Sequence, residues 1–345
     1  MPCVMVTRRQ YEQSCNERVA IQHPIKPRKM LNSRRRSSLN VSSVHDLHMA
    51  IVANQLPMVS KILMNFEGDI NGKVKGATAL GVSLYKHRYD IFMELIEFHK
   101  KNGLLDLDLT SRDHLGRDEP PIVTAARLRF FHGVNSLLEA GADIDGMDNF
   151  GHTALWFAVH HRLVPASEQL ILQGANVSKT DAYNFTPLYL TLNLQLEEKL
   201  IYLLLYSGSN VDSPNLHTSI SSNKTLLSLA MKYGSQSLMY LLLELGIGHQ
   251  QYGSRGSIAH KLHSAGLSNK NDPMCKTVWQ TCSNPLSLQT ICRTVIRENL
   301  SMVCQSNARI FTMSISQLPL PNDIKRFLLI PQLHDHFSEM FSKLS

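Results

Sequence analysis

The sequence predicts an all-α chain: a solenoid of about six helix–turn–helix units joined by hairpin fingers, followed by a small helical module. Three observations predict it. Apolar anchors recur at Leu47, Leu80, Ile122, Leu155, Leu188 and Leu227, at intervals of 33, 42, 33, 33 and 39 residues. A second marker, glycine after a run of aliphatic residues, recurs at Gly141, Gly174 and Gly208, spaced 33 and 34. Near the C-terminus, Leu288, Ile291, Cys292, Val295 and Ile296 fall at i, i+3, i+4, i+7 and i+8, a single apolar stripe on a helix. Composition agrees: 43% of the 345 residues are apolar but only 7% are aromatic, which suits short stacked helices packed through aliphatic side chains.

Residues 1–43 stand apart. They hold nine Lys/Arg between Arg8 and Arg36 against Glu12 and Glu17, so the whole formal charge of +7 resides there and the rest of the chain balances. Pro24, Pro27 and the absence of a sustained period predict a disordered basic tail. Nucleic-acid binding becomes a question for the tail alone, because no basic patch spreads over the folded body. Within it Arg34-Arg35-Arg36 precede Ser37 and Ser38, candidate phosphorylation sites for a basophilic kinase or part of a nuclear-import signal. The six cysteines lack zinc spacing and a disulfide framework would be odd in so long a chain, which points to a reducing compartment. No apolar stretch suits a leader, and the strongest apolar run, 200–206, is too short to cross a bilayer. The expectation is a location in the cytoplasm or nucleus and no membrane contact.

Residues 44–250 carry the repeat. Its clearest units are Gly151-His152-Thr153-Ala154-Leu155-Trp156-Phe157-Ala158 and Asn184-Phe185-Thr186-Pro187-Leu188-Tyr189. Thr186-Pro187 reads as an N-cap followed by proline at the first helical position, where its missing N–H costs nothing. Runs such as Leu137-Leu138 and Leu203-Leu204-Leu205 read as buried second helices, and the glycines after them suit a left-handed helix end. The pattern resembles the ankyrin repeat, Thr-Pro-Leu-His-x-Ala, then Leu-Leu, then Gly-Ala-Asp. The first unit lacks its capping Thr, as a terminal repeat with one solvated face can. The long intervals place extra residues at 100–113 and 214–223, both expected between a second helix and the next first helix. There they would enlarge fingers and offer Lys100, Lys101, Asp113, Asn215 and His217 as candidate target-binding residues; tolerated loop length explains them equally well. Residues 251–283 read as a degenerate capping repeat or linker.

From residue 284 to 332 a new module begins, with 333–345 as a C-terminal extension. On pattern alone the stripe from Leu288 to Ile296 is a core-facing helix packed on the last repeat. The surrounding residues suggest more. Ser287-Leu288-Gln289-Thr290-Ile291-Cys292-Arg293-Thr294-Val295-Ile296 resembles an Elongin-binding box, and Leu318-Pro319-Leu320-Pro321 resembles the Leu-Pro-x-Pro of a cullin box. Together they resemble a SOCS box, which implies a small three-helix fold here, and the chain as a whole resembles the ankyrin repeat and SOCS box family. That resemblance implies a non-catalytic substrate receptor. Elongin B and Elongin C would be held through Leu288, Ile291, Cys292, Val295 and Ile296. A cullin with its RING protein would be held through Leu318, Pro319, Leu320 and Pro321, and an unknown target protein through the array. A scaffold or adaptor outside any ligase is the competing reading.

Chemistry of its own is not expected. No phosphate-cradling glycine loop, metalloprotease helix, nucleophile elbow or kinase signature occurs, and Cys292 has no His or Asp placed by sequence to activate it. His160-His161 and His334-Asp335-His336 lack companion ligands for a metal. No cofactor is expected.

Overall fold

In the computed structural model the described residues are 43–66, 69–210, 226–233, 236–245, 287–304 and 307–331, with Leu333 and Phe337. The basic tail with Ser37 and Ser38, the finger residues Asn215 and His217, the 251–283 segment, and His334 and His336 lie outside them.

Six helix pairs follow one another: α1 (Val44–Val52) with α2 (Leu56–Met64), α3 (Ala79–Tyr85) with α4 (Tyr89–Asn102), α5 (Pro121–Arg127) with α6 (Phe131–Glu139), α7 (Ala154–His160) with α8 (Val164–Leu172), α9 (Pro187–Asn193) with α10 (Glu198–Tyr206), and α11 (Leu226–Tyr233) with α12 (Gln236–Glu244). First helices pack on first helices along one layer, and second helices form the layer behind. The expected anchors Leu47, Leu80, Ile122, Leu155 and Leu188 are all buried between the layers. α11 contributes Leu226, Leu229 and Ala230 to the same core. Because each unit has two apolar sides, none closes its core without a neighbour.

The repeat is written in its ends as much as in its core. The hydroxyls of Thr78, Thr153 and Thr186 accept the N–H groups of Gly81, Trp156 and Tyr189, each satisfying a donor the helix cannot, for about 1 kcal/mol. The first unit is capped after all: Ser43 accepts from Asp46 N–H while the Asp46 carboxylate accepts from Ser43 N–H, a reciprocal box. Between the helices of successive pairs stand Asn54, His87, Arg129, Arg162 and Gln195, all left-handed with φ between +54 and +61°. The residue after each donates to a carbonyl five positions back, as Gln55 does to Ala50 and Leu163 to Ala158. Gly141, Gly174 and Gly208 close second helices the same way, with φ of +100, +98 and +84°.

The first insertion is divided differently from expectation. α4 runs for 14 residues where α2, α6 and α8 run for nine, so Lys100 and Lys101 extend the helix instead of entering a finger. The extension is stabilised by His99, Lys100 and Lys101 at the negative end of the helix dipole and by left-handed Gly103. The remaining residues enlarge the following hairpin, whose strands β1 (Ser111–Arg112) and β2 (Asp118–Glu119) pair antiparallel, Ser111 with Glu119 and Arg112 with Asp118.

His48 on α1 is buried, and burial, with the nearby charge of His45, pushes its pKa down from 6.5 to about 4. Its folded form therefore binds fewer protons than its unfolded form between those values, so stability is complete above about pH 6.5 and falls as pH drops toward 4. Melting of the full chain at pH 7.5 and pH 5 should show a fall that His48→Gln reduces; an unchanged fall refutes this role.

The chain ends, among the described residues, in α13 (Leu288–Val303), α14 (Ala308–Gln317) and α15 (Asn322–Leu328). These helices fold back along the second-helix layer. The buried Phe311 ring covers Gly208, where a Cβ would approach it to 2.9 Å, and Asn307 sits at Gly174 and pairs with Asn176. Phe337 packs against Tyr206 with the rings tilted and their centroids 5.7 Å apart.

Candidate functional site

α13 starts at Ser287, whose hydroxyl accepts from Thr290 N–H. A helix with one apolar stripe ordinarily buries it. Here the reverse holds. Leu288 is 76% exposed, Ile291, Cys292, Val295 and Ile296 are exposed with it, and Met302 and Val303 extend the surface at the far end. The face turned to the array carries Arg293, Arg297 and Ser301, all buried, with Arg293 only 2% exposed. The pattern-alone reading of a core-facing stripe does not hold: the five residues of the Elongin-box pattern share one outward face.

What lies beneath α13 explains why two arginines can be buried. Arg297 donates to the carbonyls of Leu205 and Leu328, both at 2.6 Å, and lies over the Phe311 ring. Arg293 donates to the Glu244 carbonyl at 2.8 Å, pairs with the Glu244 carboxylate at 3.3 Å, and lies over Phe327. Thr294 and Ser301 add bonds to the carbonyls of Leu245 and Gly208. These carbonyls sit at the C-terminal ends of α10, α12 and α15, where the regular intrahelical ladder runs out and the dipole is negative. Burial and the neighbouring Arg293 push Arg297 down to about 9, still charged at neutral pH.

Between α14 and α15, Leu318 and Leu320 are half-buried and packed on the core, whereas Pro319 and Pro321 are exposed. The backbone at Leu318 (φ −58°, ψ 140°) and Pro321 (φ −54°, ψ 148°) has polyproline geometry. Leu320 N–H nevertheless donates back to the Leu318 carbonyl at 2.8 Å, so the segment is a tight turn and not one continuous extended stretch. Lys325 braces it through the Ser316 carbonyl, and Ile324 stands exposed beside it.

A family model for the SOCS box matches residues 284–329, the span of these three helices. These helices are a SOCS box, set behind an array of paired helices with the build of ankyrin repeats. Over 115 residues the chain is 31% identical to Neurogenic locus notch homolog protein 1 of Xenopus tropicalis; the match takes in 33% of this chain and only 4% of that protein. An ankyrin repeat domain from Acinetobacter baumannii superposes with a TM-score of 0.46 at 23% identity, over 58% of this chain and 97% of that one. The repeat assignment rests on the 33-residue period and the paired helices themselves.

The fingers of the ankyrin array are built by a carboxylate that the chain reuses. Asp113, Asp148 and Asp181 each accept two backbone N–H groups of their own turn: Leu115 and Arg117, Phe150 and His152, Tyr183 and Phe185. Burial works against the charge of Asp113, but those bonds and the Arg117 guanidinium hold its pKa below the ordinary value. Its carboxylate is buried in shaping the finger, so it does not reach a target; the exposed tip is His114 and Leu115. Lys100 pairs with Glu139 at 3.0 Å across to α6, and Lys101 with Glu97 at 4.0 Å, both surface pairs on helix ends.

One array cluster went unanticipated from the sequence. The Trp156 indole donates to Asp181 of the next finger at 3.2 Å, and its ring lies between His152 and His160, with centroids 3.8 and 4.8 Å away. His161 meets the Arg127 carbonyl at 3.1 Å. His161 thus bridges two repeats, and His160 packs on Trp156 within its own. Among the described residues no group of three or more His, Cys, Asp or Glu is placed to hold a metal, and no helix is long and apolar enough to cross a membrane.

Proposed function

We propose that this chain is the substrate-recognition subunit of an Elongin B/C–cullin–RING ubiquitin ligase, acting in the cytoplasm or nucleus. The observation that carries the reading is the outward apolar face of α13. It leaves Leu288, Ile291, Cys292, Val295 and Ile296 free to enter a groove on Elongin C in the way amphipathic helices dock. A surface stripe of this kind on a folded chain marks a binding site. Pro319 and Pro321, exposed on their turn, would meet the cullin with little conformational entropy left to lose. The ankyrin array would hold the target, and ubiquitin transfer would occur on partner subunits, this chain contributing proximity alone.

The cullin half has its own test. Pro319→Ala with Pro321→Ala leaves the half-buried Leu318 and Leu320 in place. It is expected to weaken cullin capture at least tenfold with Elongin B/C still bound, as read by co-purification of the co-expressed subunits. Equal cullin recovery from both chains refutes the assignment. A target follows from affinity capture with a Leu288→Asp chain, which would bind substrate without delivering it.

A further inference from the structure

The apolar stripe of α13 faces outward although nothing in its own pattern requires it. We infer that Arg293 and Arg297 are positioning residues that set the rotation of α13 about its axis, so that the partner-binding face is presented before any partner arrives. The inference rests on the reading of that face as the Elongin-binding surface.

The two arginines stand one helical turn apart, opposite Leu288, Cys292 and Val295. A helix with an apolar stripe and a basic back has two ways to lie on an array, and burial of apolar area alone favours stripe-inward. What opposes this is a set of carbonyls at helix ends to which α13 donates from its polar side. Arg297 spans the ends of α10 and α15, Arg293 and Thr294 take the end of α12, and Ser301 takes Gly208. Guanidinium is well shaped for this, because its rigid fork puts one N–H on the Leu205 carbonyl of the array and another on the Leu328 carbonyl of the SOCS box, both at 2.6 Å. Rolling α13 by half a turn would break every one of these bonds at once, lift both guanidinium groups off Phe311 and Phe327, and turn an apolar stripe toward the carbonyls they now satisfy. The bonds therefore fix orientation as well as attachment. A groove that binds α13 then meets a face already aimed, and the array and the ligase-binding surface keep one relative direction.

Two cysteines report the orientation without any partner: Cys292 is exposed on the stripe and Cys304, at the end of α13, is buried. In the full chain, timed alkylation with iodoacetamide and peptide mapping should show Cys292 reacting at least tenfold faster than Cys304. Replacing both arginines, Arg293→Met with Arg297→Met, is expected to slow Cys292 at least fivefold, to speed Cys304, which shares the buried face of the arginines, and to weaken Elongin B/C binding at least tenfold. An unchanged Cys292 rate with Cys304 protected overturns the inference, since packing alone would then orient the helix. Acceleration of both cysteines also overturns it, since the arginines would then be needed for folding and not for aim. Failure of the unmodified chain to bind Elongin B/C would sink the functional reading and leave the alkylation result standing.

Discussion

A chain carrying Leu288→Asp and Cys292→Phe is expected to lose Elongin B/C on co-purification, by at least 100-fold in affinity, while its array melts at the unmodified temperature. The size follows from where these side chains lie. An apolar anchor buried at the centre of an interface contributes about 2–4 kcal/mol, and a carboxylate forced into the same pocket adds its desolvation cost. The silence in folding follows from the same geometry: Leu288 is 76% exposed and Cys292 is exposed, so neither substitution disturbs a packed neighbour. Surface replacements of this kind usually shift stability by less than about 0.5 kcal/mol. Size-exclusion chromatography with purified Elongin B/C and a circular-dichroism melt decide it together. Retained complex formation would remove α13 as the docking helix, and loss of the melt would mean that the stripe is structural.

The second large effect lies on the buried side of the same module. Phe311→Ala is expected to destabilise the SOCS-box helices by about 3–5 kcal/mol, the range for deleting a buried aromatic ring. The ring is fully buried, covers Gly208 and lies 5.0 Å below the Arg297 guanidinium, so its loss opens a cavity at the join with the array. Gly208→Val attacks that contact from the other side. Its Cβ would come within 2.9 Å of the ring, at a φ of +84° that a β-branched residue tolerates poorly. Both variants should lose amide hydrogen-exchange protection in α13–α15, with α1–α8 unchanged, and both should lose Elongin B/C. Unchanged protection in α13–α15 would show that the module holds together without the array.

The repeat was legible because its markers are residue types: apolar anchors, threonine caps and glycines at left-handed ends. The interhelix turns were not, since Asn54, His87, Arg129, Arg162 and Gln195 take a left-handed conformation without glycine, and their common spacing is visible only once φ is known. The insertion was located in the sequence but not divided, because Lys100 and Lys101 suit an extended helix as well as a solvated loop. The orientation of α13 was hidden for a deeper reason. Periodicity reports that a helix has an apolar stripe and says nothing of what the opposite side meets. Arg293 and Arg297 look like a solvated face in the sequence. Only the convergence of three helix ends beneath them turns that face into the buried one. Asp113 misled in the same manner, its carboxylate being consumed by its own turn. The Elongin-box and cullin-box patterns were legible as a resemblance, and the structure adds which of their side chains are free.

The most direct measurement is the alkylation rate of Cys292 in the full chain as purified Elongin B/C is titrated in. At saturation the rate should fall at least tenfold, with Cys304 unreactive throughout and one complex of the three chains on gel filtration. A Cys292 rate unmoved by excess Elongin B/C, with the chain eluting alone, would contradict the assignment of α13 as the ligase-binding helix.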